Sequence, residues 1–455
     1  MTKKIVIIGV LVVAALAALP VVGNFSVNKV LDKRMASLEQ NGIKVEEKDN
    51  GSNYLTTKRH YEFKLVDAVK FQTYLETLSE AQVPGYMSAM LDDVVMAADV
   101  EYSKVVVESD VSIDLYPVAF TKTADARMLQ EDASLHEQMN KMLKNRAFMY
   151  HMDYDVAASK FKGYIKDIDE TITFKDNKTA KILFKSATFK GDGTLVEPKS
   201  VDFNVKNADV HFHFPESAEM MLKLDDFSSS SDFTSKNSFD LDYTLSSLHF
   251  TFVTPKSNVK IEGEMLKALS TSKVTNKKLN TTAHISMLHF KVKDDNGSLE
   301  LNNFDLSTEV NNVDEEAYLA LQKASETAGP SSQFTTLAAI GVVSKGLELK
   351  IDNISAETMA IKDAPLMQGF KHKIDITIVP DDALIQKIQV SPLLVANNIG
   401  IDADLDFSTA LYNYALQQNA QLIIADKYAK KEGDRVLFNI KVHQSQVLVN
   451  GQSLF

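Results

Sequence analysis

Phe148-Met149-Tyr150-His151-Met152-Asp153-Tyr154-Asp155-Val156 repeats with a period of two: Phe148, Tyr150, Met152, Tyr154 and Val156 alternate with Met149, His151, Asp153 and Asp155. Side chains of an extended strand point alternately to opposite faces, so this stretch puts one face into a core and the other largely into water. That is how a strand of a one-side-buried antiparallel sheet reads. The same alternation recurs at Val201, Phe203 and Val205, at Phe239, Leu241, Tyr243 and Leu245, at Leu299 and Leu301, and at Ile374, Ile376 and Ile378. Asp192-Gly193, Asn296-Gly297 and Asn450-Gly451 supply the positive φ that tight hairpins need, so neighbouring strands are expected to be joined by hairpins. Val210-His211-Phe212, Leu248-His249-Phe250 and Leu288-His289-Phe290 echo one another at intervals of 38 and 40 residues, which suggests a meander growing by two or three strands at a time.

Three helical patches interrupt the strands. Met128, Leu129, Leu135, Met139, Met142 and Leu143 fall broadly on one side of a helix. A second patch runs from Asp314 to Thr327, breaks at Gly329-Pro330 and continues through Phe334, Leu337 and Val342. Ser408 is a plausible N-cap for a third, through Ala410, Leu411, Tyr414 and Ala415. The expected class is therefore α+β, predominantly antiparallel β: an N-terminal transmembrane helix, then a long curved antiparallel sheet with a few packed helices. Ser228 to Ser231, flanked by aspartates, is the most linker-like stretch, and marks a loop tip or a sub-boundary near 225–235. The helical region at 314–345 is the other internal landmark.

Lys3 and Lys4 precede an uncharged apolar run from Ile5 to Gly23, which as a helix spans about 28 Å, close to the hydrocarbon thickness of a bilayer. Ala15-Leu16-Ala17 has the small-x-small form of a signal-peptidase site, but the apolar run continues past it, which favours an uncleaved anchor. Lys29, Lys33 and Arg34 compete with Lys3 and Lys4 in the positive-inside count, yet long domains translocate largely regardless of such charge. Val27, Leu31, Met35 and Leu38 then recur at helical spacing up to Asn41-Gly42, a C-cap. The expected organisation is a signal anchor at 1–23, an amphipathic juxtamembrane helix at 24–42 packing on the body, and an extracytoplasmic β-rich body at 43–455.

The 455 residues carry 61 acidic and 49 basic side chains, a formal charge of -12, which gives no field to hold a phosphate backbone, so nucleic acid is not an expected partner. The absence of cysteine excludes disulfides, thiol catalysis and thiolate metal sites. His211 and His213 share one strand face, a spacing that can chelate a metal, but no third ligand is near in sequence and a solvated polar face is the simpler reading. His136-Glu137 lacks the second His of a zinc-peptidase helix, since Asn140 stands there. Asp294 to Gly297 lacks the first and closing ligands of a calcium loop and reads as a hairpin turn. Asp402, Asp404 and Asp406 line one face of a strand and read as its solvent side. No phosphate loop, nucleophile elbow or dinucleotide fingerprint occurs, and no cofactor is implied.

The C-terminal stretch Val436-Leu437-Phe438-Asn439-Ile440-Lys441-Val442, a short turn, and Val447-Leu448-Val449-Asn450-Gly451-Gln452 follow a Lys-led anchor and a strand-rich body. This combination resembles the uncharacterised bacterial envelope family typified by YdgA, whose members end on a strand followed by Asn-Gly. Ile374 to Pro380 leading into a helical stretch, and the Tyr412-Asn413-Tyr414-Ala415 helix, fit the same pattern. The resemblance implies an inner-membrane anchor through residues 5–23 and a body in the periplasm, and it carries no catalytic residues. The functional expectation is a non-enzymatic envelope scaffold or binding protein with a lipid or envelope-protein partner. The alternatives are an apolar-ligand or lipid-binding protein, and a membrane-tethered hydrolase with a dispersed site whose first candidates are His211 and His213. A reporter fused after Phe455 is expected to be active only outside the cytoplasm, and carbonate extraction to leave the full-length chain in the membrane. Cytoplasmic reporter activity, or release by carbonate, overturns this placement.

Overall fold

The computed structural model describes residues 23–52, 56–79, 92–103, 110–193, 198–215, 218–235, 237–329, 331–362, 364–390, 396–419, 422–443 and 446–454. The apolar run from Ile5 lies outside them except for Gly23. Among the described residues no helix is long and apolar enough to cross a membrane. The chain divides into two units, Met1–Asp232 and Phe233–Phe455, and both are mostly antiparallel strand with a few helices.

The first unit opens with α1 (Gly23–Gln40), which ends where Gly42 takes φ +88°, as the Asn41-Gly42 cap requires. Then come β1 (Ile43–Ser52), β2 (Thr56–Leu65), α2 (Ala68–Ser79), β3 (Val94–Ser103), β4 (Asp110–Phe120), α3 (Lys122–Glu131), α4 (Ala133–Lys144), β5 (Tyr150–Asp155) and β6 (Lys160–Ile165). The six strands pair in sequence, each antiparallel to the next. β7 (Ile168–Thr173) pairs with β8 (Thr179–Lys185), and β6 with β9 (Ala187–Gly193). β10 (Pro198–Phe214) is long enough to lie against β9 and β8 in turn, with β11 (Ala218–Ser235) on its other side.

Met35 and Leu38 of α1 are buried with Tyr61, Phe63, Ile113 and Met152, so this helix packs on the body as its spacing predicts. Phe71 brings α2 into the same core. That helix escapes the periodicity reading because it is short and its first turn is exposed at Val69. The patch from Met128 to Leu143 is two helices and not one. Asp132 accepts from the backbone N–H groups of Ser134 and Leu135 at 3.1 Å, which starts a new helix there and leaves Leu129 outside, 52% exposed.

In the second unit β12 (Ser238–Thr254), β13 (Ser257–Thr275), β14 (Lys278–Asp294) and β15 (Gly297–Asp314) form a meander. The helices α5 (Glu315–Ala328) and α6 (Gln333–Ser344) follow, capped by Asp314 and Ser332 and separated at Gly329. β16 (Leu347–Ile361), β17 (Met367–Ile378), α7 (Leu384–Val390), β18 (Ile399–Ser408), α8 (Thr409–Gln418), α9 (Ile423–Asp426), β19 (Lys430–Glu432), β20 (Arg435–His443), β21 (Gln446–Val449) and β22 (Gln452–Ser453) complete it. β15 to β18 pair in order, β18 pairs with β20, and β20 with β19 and β21. Ser408 caps α8 by accepting from Leu411 N–H at 3.2 Å.

The sequence echo is a hairpin repeat. β10, β12 and β14 begin 40 residues apart, at Pro198, Ser238 and Lys278, and each is followed by its antiparallel partner. The serine run is not a linker: Ser228, Ser229, Ser230 and Ser231 lie within β11, opposite Asn204, Phe203, Asp202 and Val201. The ladder satisfies their backbone, and Ser230 Oγ donates to Asp202 at 2.6 Å, so small polar side chains cost this strand little. The hairpin turns shift slightly. Asp192 and Gly193 are still paired with β10, and Asp295-Asn296 form the β14–β15 turn with Gly297 already in strand. Asn450-Gly451 turn at φ 52° and 78° as expected.

Within these strands the alternation has one regular interruption. Apolar positions that elsewhere step by two step by three at Phe184 to Ala187, Val205 to Ala208, Leu224 to Phe227, Leu245 to Leu248, Gly263 to Leu266, Leu301 to Phe304 and Met367 to Phe370. Ser186, Asp226, Met265 and Asn303 sit in these steps at φ between 49° and 54°, and recur in every second strand. A left-handed residue turns the pleat, so that the residue three positions on returns to the same face. A Cβ on Gly263 would stand 2.9 Å from Leu266 Cδ1, which puts both on one side. At the same level Gly369 is buried, and a Cβ there would lie 2.0 Å from the Ala356 carbonyl oxygen. Backbone atoms cannot yield that space, so Gly369→Ala is expected to lower the unfolding free energy by about 1–3 kcal/mol in denaturant titration. An unchanged midpoint refutes the close approach.

Candidate functional site

Register settles which side chains share a face in the second unit. One line runs Tyr243, Ala268, Ile285, Leu306 and Ile354 across β12 to β16 and continues through His372 and Leu405. Beyond the step of three, Leu248, Gly263, Phe290, Leu301 and Met359 form a second. The opposite face carries Thr244, Lys267, Ser286, Asp305 and Ser355. The sheet is thus apolar on one side and polar on the other over its length.

Helices bury only parts of the apolar side. Ala317, Leu321 and Val342 of α5 and α6 pack with Leu279, Val310 and Val313, while Leu411 and Tyr414 of α8 pack with Met359, Met367 and Phe370. Between these clusters, Tyr243, Ala268, Leu306 and Ile354 are half-buried and Ile285 is 37% exposed. β12 contains no buried residue. Five strands about 4.8 Å apart and some 17 residues long make a face of roughly 24 by 55 Å, whose two ends the helices cover and whose middle is left half-buried.

One imidazole lies on this apolar side, which also carries the hydroxyls of Ser270, Ser272, Thr281 and Thr308. The His372 ring stacks on Phe370 at 4.9 Å and meets Phe407 at a tilt of 56° with centroids 4.6 Å apart, and its Nδ1 accepts the Asp406 backbone N–H at 3.2 Å. The neutral ring therefore carries its proton on Nε2. Burial pushes the imidazole pKa down, and outweighs the Lys371 carbonyl and the Asp406 carboxylate, which pull it up.

The first unit holds a polar constellation on the face opposite its core. His60, Asp99, Asp114 and His151 occupy one register line across β2 to β5. His60 Nδ1 meets Asp99 at 2.5 Å and His151 Nδ1 meets Asp114 at 2.6 Å, so two carboxylates on adjacent strands are each held by their own histidine. Tyr116 donates to Asp99 at 2.9 Å, and Arg146 reaches Asp99 at 3.1 Å while covering the Tyr116 ring at 3.9 Å. A depression of about 390 Å³ beside them is lined by Lys58, Arg59, His60, Asp99, Ser112 and Asp114. The arrangement relieves the repulsion of facing carboxylates, and it offers no activated nucleophile. The sequence did not reveal it because the partners are 39, 17 and 37 positions apart. Its only signal was His151 on the polar side of the opening stretch.

His211 and His213 do share the polar face of β10. His211 Nε2 is engaged by Glu219 at 2.8 Å, and its register partner on β8 is Lys181, a cation beside the would-be ligands. Among the described residues no group of three His, Asp or Glu side chains is placed to hold a metal. Asp402, Asp404 and Asp406 lie on the polar side of β18, matched to Lys441 at 3.5 Å, Asn439 at 2.8 Å and Arg435 at 2.6 Å. His136 is held by Asp125 at 2.6 Å and by Asn140 at 3.0 Å.

Comparison with family models, with curated proteins and with solved structures finds no match to this chain.

Burial pushes the Asp99 carboxyl up, but the hydrogen bonds of His60 and Tyr116 and the charge of Arg146 outweigh it, and the net direction is down. A carboxyl lowered on folding contributes stability above its unfolded pKa of about 3.9 and loses it as pH falls through the folded value. Asp99→Asn is therefore expected to lower the melting temperature at pH 7 by the equivalent of at most about 1 kcal/mol, since the pair is part-exposed. The difference from the parent should shrink steadily as pH falls below the ordinary carboxylate range and through the lowered folded value. A deficit that persists there assigns the loss to packing and not to charge.

Proposed function

We propose that the protein is a membrane-anchored envelope protein whose second unit shelters the acyl chains of lipid on its open apolar sheet face. The observation that carries this reading is the register line from Tyr243 to Ile354, apolar on every strand and buried on none. Hydrocarbon surface left in water costs about 25 cal/mol per Å², so a face of this size favours an apolar occupant. Its lining is mostly Ile, Leu, Phe and Met with few hydroxyls, which suits alkyl chains. An acyl chain spans one leaflet, about 15 Å, and strands of some 55 Å give it ample length.

The uncharged run from Ile5 to Gly23 supports the same reading, because it would hold the chain beside a lipid source. The resemblance to the YdgA-type envelope family agrees on location. A scaffold needs rigid, closed layers, and the half-buried middle of β12 to β16 suits it less well. The hydrolase reading has the least support, since His211 is occupied by Glu219.

A benzophenone amino acid placed at Ile285 of the full chain is expected to form lipid adducts on irradiation in membranes. The same group at Thr282, on the polar side between Thr271 and Glu309, should form few. Equal adducts at both positions, or none at Ile285, sink the lipid reading.

A further inference from the structure

The apolar side of β12 to β18 contains an ionisable group where a purely structural face needs none. His372 follows Ile354 on the register line that crosses Ile285 and Leu306, and Leu405 succeeds it on β18. It lies three strands from Ile285, about 14 Å along the line. Its ring belongs to the hydrocarbon wall only while neutral, when Nδ1 accepts the Asp406 N–H and the ring lies stacked on Phe370 with Phe407 tilted beside it.

Protonation changes both conditions. Nδ1 gains a hydrogen and can no longer accept, so two N–H groups confront each other at 3.2 Å and the ring must turn or the β17–β18 rung must open. The cation is poorly compensated where it stands. Lys371 and Lys373 flank it on β17 and alternate to the polar side, Asp404 is bonded by Asn439, and Asp406 is clamped by Arg435 at 2.6 Å. β16 carries Asp352 and Glu357 on either side of Ile354; Asp352 is exposed and Glu357 is bonded by Asn303 on β15. α8 contributes Tyr412 and Tyr414 and no charge to the clusters around Phe407.

Resting on the lipid reading of this face, we propose that His372 is a proton-operated gate: neutral, it completes the apolar lane, and protonated, it makes the lane hydrophilic and releases the acyl chain. A charge beside an alkyl chain must recruit water, and water entering the lane competes with the ligand along the whole register line. Acidification to pH 5.5 then expels apolar ligand, and return to pH 7.5 restores binding.

The test uses the full chain in isolated membranes, with the benzophenone group at Ile285 and lipid-adduct yield read at pH 7.5 and pH 5.5. The parent is expected to lose part of its yield, a few-fold at most, at the lower pH, because burial holds the imidazole below its ordinary value. His372→Phe, which keeps the stacking, and His372→Gln, which keeps a neutral acceptor for the Asp406 N–H, should each hold their yield at both values; two variants guard against one failing to fold. Adducts in the parent that are pH-independent, that rise on acidification, or that fall equally in both variants overturn the gate and leave the lipid reading standing. No adducts at either pH overturn both.

Discussion

Antiparallel pairing over strands of up to 19 residues is the constraint on which everything else here depends. A ladder that long commits every backbone N–H and C=O, and it also commits every side chain to a face, because one residue of slip would exchange the two. Long strands twist as they pair, and an uninterrupted pleat cannot follow indefinitely. The left-handed residues at Ser186, Asp226, Met265 and Asn303 break the pleat at one point in every second strand, and the apolar pattern steps by three at that point. Asp and Asn tolerate this conformation, whereas Met265 bears its full steric cost of roughly 1–2 kcal/mol. Conformational strain and hydrophobic pattern therefore agree on where the sheet bends.

A single apolar face has a consequence for packing. An open sheet needs a second layer over its hydrophobic side, and in the second unit the helices supply it near Leu279 and Val313 and near Met359 and Met367. The middle of the face has side chains that shield one another only partly. Its chemistry and its area point the same way, toward an occupant made of hydrocarbon. In the first unit a dense core of Tyr61, Phe63, Ile113, Met152 and Phe161 packs the apolar side of its early strands, and their polar side is tied together by the His60–Asp99 and His151–Asp114 pairs, while β10 and β11 stay mostly half-buried like β12.

His372 is informative because it violates the pattern that surrounds it. Along its register line every neighbour is apolar, yet its Nδ1 makes a hydrogen bond that only the neutral ring can make. A leucine there would extend the wall at no desolvation cost. The ionisable residue gives the face two states separated by one proton, and the ion pair of Asp406 with Arg435 keeps the nearest carboxylate from stabilising the charged one.

The sequence by itself determined the local structure: period-two strands, hairpins, the Asn41-Gly42 cap, the Ser408 cap and a meander advancing 40 residues at a time. Each follows from backbone geometry and side-chain alternation within a few residues. The tertiary structure alone decided the rest. A pattern that changes parity, as at Gly263 to Leu266, can mean either a kinked strand with one apolar face or a straight strand with two, and only φ at Met265 and the Gly263–Leu266 approach distinguish them. Ser228 to Ser231 became strand because a partner was present to satisfy their backbone, which composition cannot foresee. The histidine–aspartate line, and the place of His372 among apolar neighbours, depend on pairing between strands distant in sequence, and pairing is a property of the folded chain.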